Sequence, residues 1–239
     1  MRAYDVLKAL HLLMVIIWIG TDIGTFASFS RLLDPSLAVP TRLSMSRLSD
    51  LLDQGPRSAL VLLLMLGLTM THMGGWGFRG TGGAVLAGAS ACVGVLWFAG
   101  VWHQFWVHHP PPGVTRTSVH VRASARFRVV DLWWRVAVAS ALVVAAVWSL
   151  ATSGDGGPLQ YSWLAWKLIL FAVIVLDGVL IRLALPKIGA AVGAIAQGGS
   201  TPEREAALLR VARPAQGYVV GLWVLMVAVS VIAVFKPGM

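Results

Sequence analysis

Charge is scarce in this sequence of 239 residues. Asp, Glu, Lys and Arg make up 12% of it, about half the share found in a soluble domain. Cysteine is almost absent. The single Cys92 lies inside an apolar run, which excludes an intramolecular disulfide framework and any thiolate metal cluster. No stretch between the apolar runs is long enough to build a second core, so residues 1–239 are read as one domain. A soluble protein of this composition is excluded.

What the chain does have is long hydrophobic runs. Hydrophobic residues make up 57% of it, and runs near 20 residues can cross roughly 30 Å of hydrocarbon as helices. They fall at 4–30, 58–76, 83–107, 132–152, 161–186 and 214–235. The expected fold is therefore all-α, an integral membrane bundle of six transmembrane helices. The first run is too long for a signal peptide, and Asp5 and His11 fit such a segment poorly, so it reads as a retained helix.

The net charge of +9 could suggest a nucleic-acid partner, but its distribution points to lipid. Fourteen of the 19 Lys and Arg residues sit in or beside alternate connections: Arg31, Arg42, Arg47 and Arg57; then Arg116, Arg122, Arg126, Arg128 and Arg135; then Arg182, Lys187, Arg204, Arg210 and Arg213. The other side keeps Arg2, Lys8, Arg79, Lys167 and Lys236. The positive-inside rule makes the three basic connections cytoplasmic and leaves both termini outside. The basic charge then meets headgroups of the bilayer. Within those connections, Leu48, Leu51 and Leu52 share one side of an interfacial helix. Thr201-Pro202-Glu203 opens a second short surface helix with an N-cap hydroxyl and a proline at the first position. Trp76, Phe78, Tyr161, Trp163 and Trp166 are expected at the outer interface, and Trp133 and Trp134 at the inner one.

Gly75-Trp76-Gly77-Phe78-Arg79-Gly80 spells the G-x-G-x-x-G dinucleotide fingerprint. That pattern has meaning only between a strand and a helix of a βαβ unit. Here it joins two membrane helices and reads as a flexible hairpin.

Ionisable residues inside spans are costly and mark function or a buried partner. In the first span His11, Met14, Trp18, Asp22 and Thr25 share one stripe, since 11 residues make close to three turns. His72 lies near the outer end of the second span, at a depth similar to His11. Two histidines on antiparallel neighbours can clamp a porphyrin iron; a headgroup contact for His72 is the alternative. Lys167 on the fifth span can meet a haem propionate or an anionic substrate, or snorkel to the headgroups. Asp22, His103 and Asp177 form a deeper layer, near Arg135 and Arg182, read as a buried ion-pair and hydrogen-bond network, with a proton path as the alternative and His103 as a hydrogen-bonded packing residue. His108, His109 and His120 have no assigned role.

Lys8-Ala9-Leu10-His11 followed by Trp18-Ile19-Gly20 resembles the first helix of the HemJ-type protoporphyrinogen oxidases. Trp163-Leu164-x-x-Lys167-Leu168 is similar to that family's later helix, and Val234-Phe235-Lys236-Pro237 to its C-terminus. CopD-type copper proteins share the helical style. The third and fourth spans have no counterpart in the shorter HemJ pattern, and Ala165 stands where its motif would have a histidine. The resemblance implies a haem b protein of the bacterial inner (plasma) membrane. His11 would be a ligand, Trp18 and Trp163 cofactor contacts, and Lys167 the functional lysine.

Three functions follow as expectations. The first is a haem b redox protein, a HemJ-like oxidoreductase or an electron-transfer subunit, with His11 and His72 on the metal. The second is copper handling, because Met14 lies a turn from His11, and Met65, Met70 and Met73 cluster with His72, a thioether–imidazole set suited to Cu(I). The third is an assembly partner with no cofactor. A redox partner protein, a porphyrin-like substrate and a homo-oligomer are the further partners these readings admit.

Overall fold

The computed structural model describes residues 3–110, 113–115, 117–152 and 156–237. Arg2 and Arg116, counted above in the charge bias, lie outside the described residues. Seven helices follow one another: α1 (Ala3–Leu32), α2 (Val39–Leu52), α3 (Gln54–Met73), α4 (Gly80–His108), α5 (Ser118–Ala151), α6 (Ser162–Gly198) and α7 (Pro202–Phe235). The described residues contain no strand, only an isolated bridge between Gly77 and Leu159. Six of the helical segments are long and apolar enough to cross a bilayer, with α2 and α3 counted together. The fold is an all-α, six-span membrane bundle. Helices suit that solvent because they satisfy every backbone N–H and C=O within the segment.

Its surface is inverted relative to a soluble protein. Ile16, Val85, Leu96, Val144, Val227 and Val234 are each more than 60% exposed, whereas Arg42, Asp131 and Arg135 are 1 to 2% exposed. Apolar side chains face lipid and the charged ones face one another.

One end of the bundle carries both termini; the other carries most of the arginines. Towards that basic end α5, α6 and α7 run beyond the apolar stretches. The helix expected to start at Thr201 does start there, with Thr201 Oγ1 accepting from the Arg204 N–H at 3.4 Å. It does not stop before the last span, however, and α7 continues unbroken for 34 residues through Pro214. The reason is packing. Leu208, Ala212 and Ala215 are buried against Ile188 and Ile195 of α6 and Leu33 after α1, so the first turns already have an apolar partner.

The helix expected from Leu48, Leu51 and Leu52 is α2. Leu48 and Leu51 are exposed to lipid, while its polar side faces protein. Arg42 donates from Nε to the Leu32 carbonyl at the end of α1 (2.7 Å), and through both terminal nitrogens to Glu205 of α7 (2.7 and 2.9 Å). A bidentate charge-assisted pair of this kind is directional and short. It ties α2 to the start of α7.

The helices group into two halves. α3 packs against α1 and α4, α6 packs against α5 and α7, and the halves are joined by light contacts between α4 and α5, α1 and α7, and α2 and α6, together with the Arg42–Glu205 pair. At mid-depth side chains from all six spans meet, including Trp18, Leu63, Trp97, Leu142, Val175 and Leu222. Above and below that layer the seam between the halves stays open.

Candidate functional site

The seam widens towards the end that carries the termini into a cavity of about 520 Å³, walled by α1, α3, α6 and α7. A volume of this size is typical of small-molecule and cofactor sites. Its rim is built by two turns. The Gly75–Gly80 segment is indeed a hairpin turn, with Gly75, Phe78 and Gly80 at positive φ. It docks on the chain before α6: Phe78 N–H bonds to the Pro158 carbonyl and Gln160 N–H to the Trp76 carbonyl, both at 2.7 Å. Gly77 is required at that contact, because a Cβ there would lie 2.6 Å from the Pro158 oxygen.

Docking these turns gathers the rim aromatics. Trp76 lies edge-on to Tyr4 and to Trp163, each at 5.8 Å between ring centroids. Lys236, the left-handed C-cap residue of α7, places its ammonium 5.2 Å from the Trp76 ring and 5.7 Å from Trp163. Such cation–π contacts hold a lysine while leaving its charge unneutralised. Trp163 is 3% exposed, so it is an inward wall of the bundle, whereas Trp166 is half exposed on its outside.

His11 lies deeper, about 12 Å along α1 from Ala3 at 1.5 Å per residue. Its ring faces Gly67 of α3, where a Cβ would lie 3.5 Å from His11 Cε1, an ordinary van der Waals contact. His11 Nδ1 is buried without a hydrogen-bond partner, and so are the indole nitrogens of Trp18 and Trp163. All three residues line this cavity, together with Lys8, Lys167 and Lys236, and no carboxylate is among the lining residues. Lys167 is half-buried and forms no ion pair among the described residues. A buried polar atom left unpaired costs about 1–3 kcal/mol, so three in one cavity describe a site shaped for something with polar groups. The chemistry on offer is one imidazole, three cations and an aromatic-apolar wall.

Four of the residues singled out in the sequence, His11, Trp18, Trp163 and Lys167, therefore come together. His72 does not join them. The face of α3 turned to the cavity carries Leu63, Leu64, Gly67, Met70 and Thr71. His72 is turned to α4, where its Nδ1 lies 2.8 Å from the Phe78 carbonyl and against Gly83. Depth along the axis matches that of His11, but direction around the helix does not. Met65 likewise faces α4, against Gly94, while Met70 lines the cavity and Met73 is 47% exposed. The methionines do not gather round one histidine.

No protein-family model, curated protein or solved structure matches this chain.

The deeper polar layer differs from the expected network. Asp22 accepts from Trp223 Nε1 at 2.6 Å rather than pairing with an arginine. Asp177 has a buried oxygen with no partner among the described residues. The carboxylate that serves Arg135 and Arg182 is Asp131, which sequence reading missed. It bonds Arg135 Nε at 3.0 Å, Arg182 Nη1 at 2.6 Å and Trp97 Nε1 at 2.6 Å. The available signal was its i,i+4 spacing to Arg135 on the edge of an apolar run. His103 is hydrogen-bonded as expected, but outside the bundle core: it pairs with His120 at 3.3 Å between the basic ends of α4 and α5.

Proposed function

We propose that this multi-pass membrane protein holds haem b in the cavity at its terminal end and serves redox chemistry. It would act as an oxidoreductase resembling the HemJ type or as an electron-transfer subunit. The membrane would be the bacterial inner (plasma) membrane, with both termini outside, the orientation that the 14-to-5 division of basic residues favours. The observation that carries the reading is His11, an imidazole with a buried unpaired nitrogen in an aromatic-lined cavity that also holds unpaired lysines. Its three short segments of family resemblance, around His11, Lys167 and Lys236, converge on this one cavity.

In this reading His11 binds the iron, Trp18 and Trp163 exclude water from the macrocycle, and Lys8, Lys167 and Lys236 meet the propionates. Bound haem supplies a one-electron couple, tuned by its axial ligand and by burial. His72 positions the Phe78 turn and so shapes the rim; it is not needed as a second ligand. A porphyrin-like substrate or a redox partner protein completes the reaction. The test is a visible spectrum of the detergent-purified protein, expressed with ample haem. A Soret band is expected, and a colourless preparation would remove the proposal.

A further inference from the structure

A second cavity, of about 500 Å³, opens from the same seam at the basic end, walled by α2, α3, α4, α5 and α6. The order of the helices makes it the counterpart of the first. In each half the first span (α1 or α5), the middle span (α3 or α6) and the last span (α4 or α7) occupy equivalent places, and three crossings give the halves opposite directions. The terminal-end cavity takes the first and middle spans of one half with the middle and last spans of the other. The basic-end cavity takes the converse set. Paired halves of inverted direction commonly build polar sites at their interface.

Its chemistry differs from that of the first. Arg57, Arg128 and Arg182 line it, with Asp50 as its one lining carboxylate, 3.6 Å from His109. Ten buried side-chain polar atoms lack a partner among the described residues, and four of them, on Gln54, Gln104, His109 and Arg182, belong to this lining. A fifth, Arg135 Nη2, belongs to the guanidinium that shares Asp131 with Arg182. One carboxylate therefore serves two arginines, each with an unused N–H₂ group. The unpartnered glutamine atoms are Oε1 oxygens; Gln54 already donates from Nε2 to the Asp50 carbonyl at 3.4 Å, whereas Gln104 can turn its amide N–H₂ towards the cavity. Val129 and Leu183, also in the lining, are more than half exposed on the lipid-facing surface, so the walls run from apolar to basic.

We propose that this cavity binds a phosphate-type oxyanion, with Arg182 as its buried donor and Arg128 as a further cation; Arg57, also in the lining, is already paired with Asp53. A guanidinium fork with free N–H groups matches the geometry of phosphate oxygens. The oxyanion comes either from an anionic phospholipid headgroup, which basic pockets between transmembrane helices accept, or from free phosphate. Nothing in this inference depends on haem in the other cavity.

The test follows thermal unfolding of the full-length detergent-solubilised protein. It is titrated with dioleoylphosphatidylglycerol, with dioleoylphosphatidylcholine as the zwitterionic control, and separately with inorganic phosphate in place of chloride at constant ionic strength. Stabilisation by phosphatidylglycerol alone assigns the headgroup, and stabilisation by phosphate assigns the free ion. In either case Arg182→Gln and Arg128→Gln should weaken the apparent affinity about tenfold, the worth of one charged hydrogen bond. Arg182→Gln disturbs Asp131 and can fold poorly. Arg128, exposed and without an ion pair among the described residues, keeps the test decisive. Arg47→Gln, at the same end but outside the cavity, should change nothing. No stabilisation by either probe, or an equal loss in Arg128→Gln and Arg47→Gln, overturns the proposal.

Discussion

Trp223 on α7 donates its indole N–H to Asp22 on α1 at 2.6 Å, one of the few polar bonds that cross between the two halves of the bundle. The opposite crossing has the same form: Trp97 on α4 donates to Asp131 on α5, also at 2.6 Å. Each carboxylate sits on the first span of one half, and each indole on the last span of the other. Lipid provides no hydrophobic drive between helices, so such hydrogen bonds and close packing hold the halves together.

Removing the indole should therefore weaken the assembly more than the cofactor site. Trp223→Phe leaves a buried carboxylate without its donor, at a cost of about 1–3 kcal/mol. The expected outcome is a lower unfolding midpoint in detergent for Trp223→Phe and for Asp22→Asn, with any haem spectrum unchanged. A shifted spectrum at normal stability would place Asp22 in the functional site.

Asp131 should be the more sensitive of the two carboxylates, because it balances Arg135 and Arg182 at once. Breaking a buried ion pair from one side costs about 3–5 kcal/mol. Asp131→Asn is expected to reduce membrane-inserted yield well below that of Asp22→Asn, measured as the monodisperse fraction after extraction. Equal yields would show that the arginines find other partners.

The two histidines towards the terminal end, His11 and His72, should separate cleanly. His11→Ala should abolish the Soret band while the protein still inserts. His72→Ala should leave the band and lower stability by about 1 kcal/mol through loss of the bond to the Phe78 carbonyl. Lys167→Ala should keep haem and weaken its affinity. Haem lost from His72→Ala and retained by His11→Ala would invert the assignment.

Orientation is checked by cysteine labelling in a Cys92→Ala background, since Cys92 is exposed on the bundle. Cysteines near Arg47, Arg122 and Arg204 should resist an impermeant reagent in intact cells, and one near Arg79 should react. The reverse pattern would turn the protein over.

Span number was legible because hydropathy over some 20 residues is a one-dimensional signal. The convergence of His11 with Trp163 and Lys167 was legible in part, through depth and short motifs. Direction around each helix was harder to read. His72 matches His11 in depth and faces another helix, and Asp131 was hidden because it stands one residue before the apolar run that begins at 132. The continuity of α7 was obscured by Pro202 and by the charged turns after it, whose partners lie far away in sequence on α6 and α2.

The crossed carboxylate–indole bonds also bear on how the molecule is made. Synthesis delivers α1 to α4 first, with Asp22 and Trp97 in the membrane and neither of their partners yet translated. Until α5 arrives, Trp97 has no acceptor; until α7 arrives, Asp22 has no donor. In the first half alone, lipid offers neither an acceptor for Trp97 nor a donor for Asp22. Each half therefore supplies the partner that the other half's buried polar group lacks, so the two polar crossings form only when the halves are together.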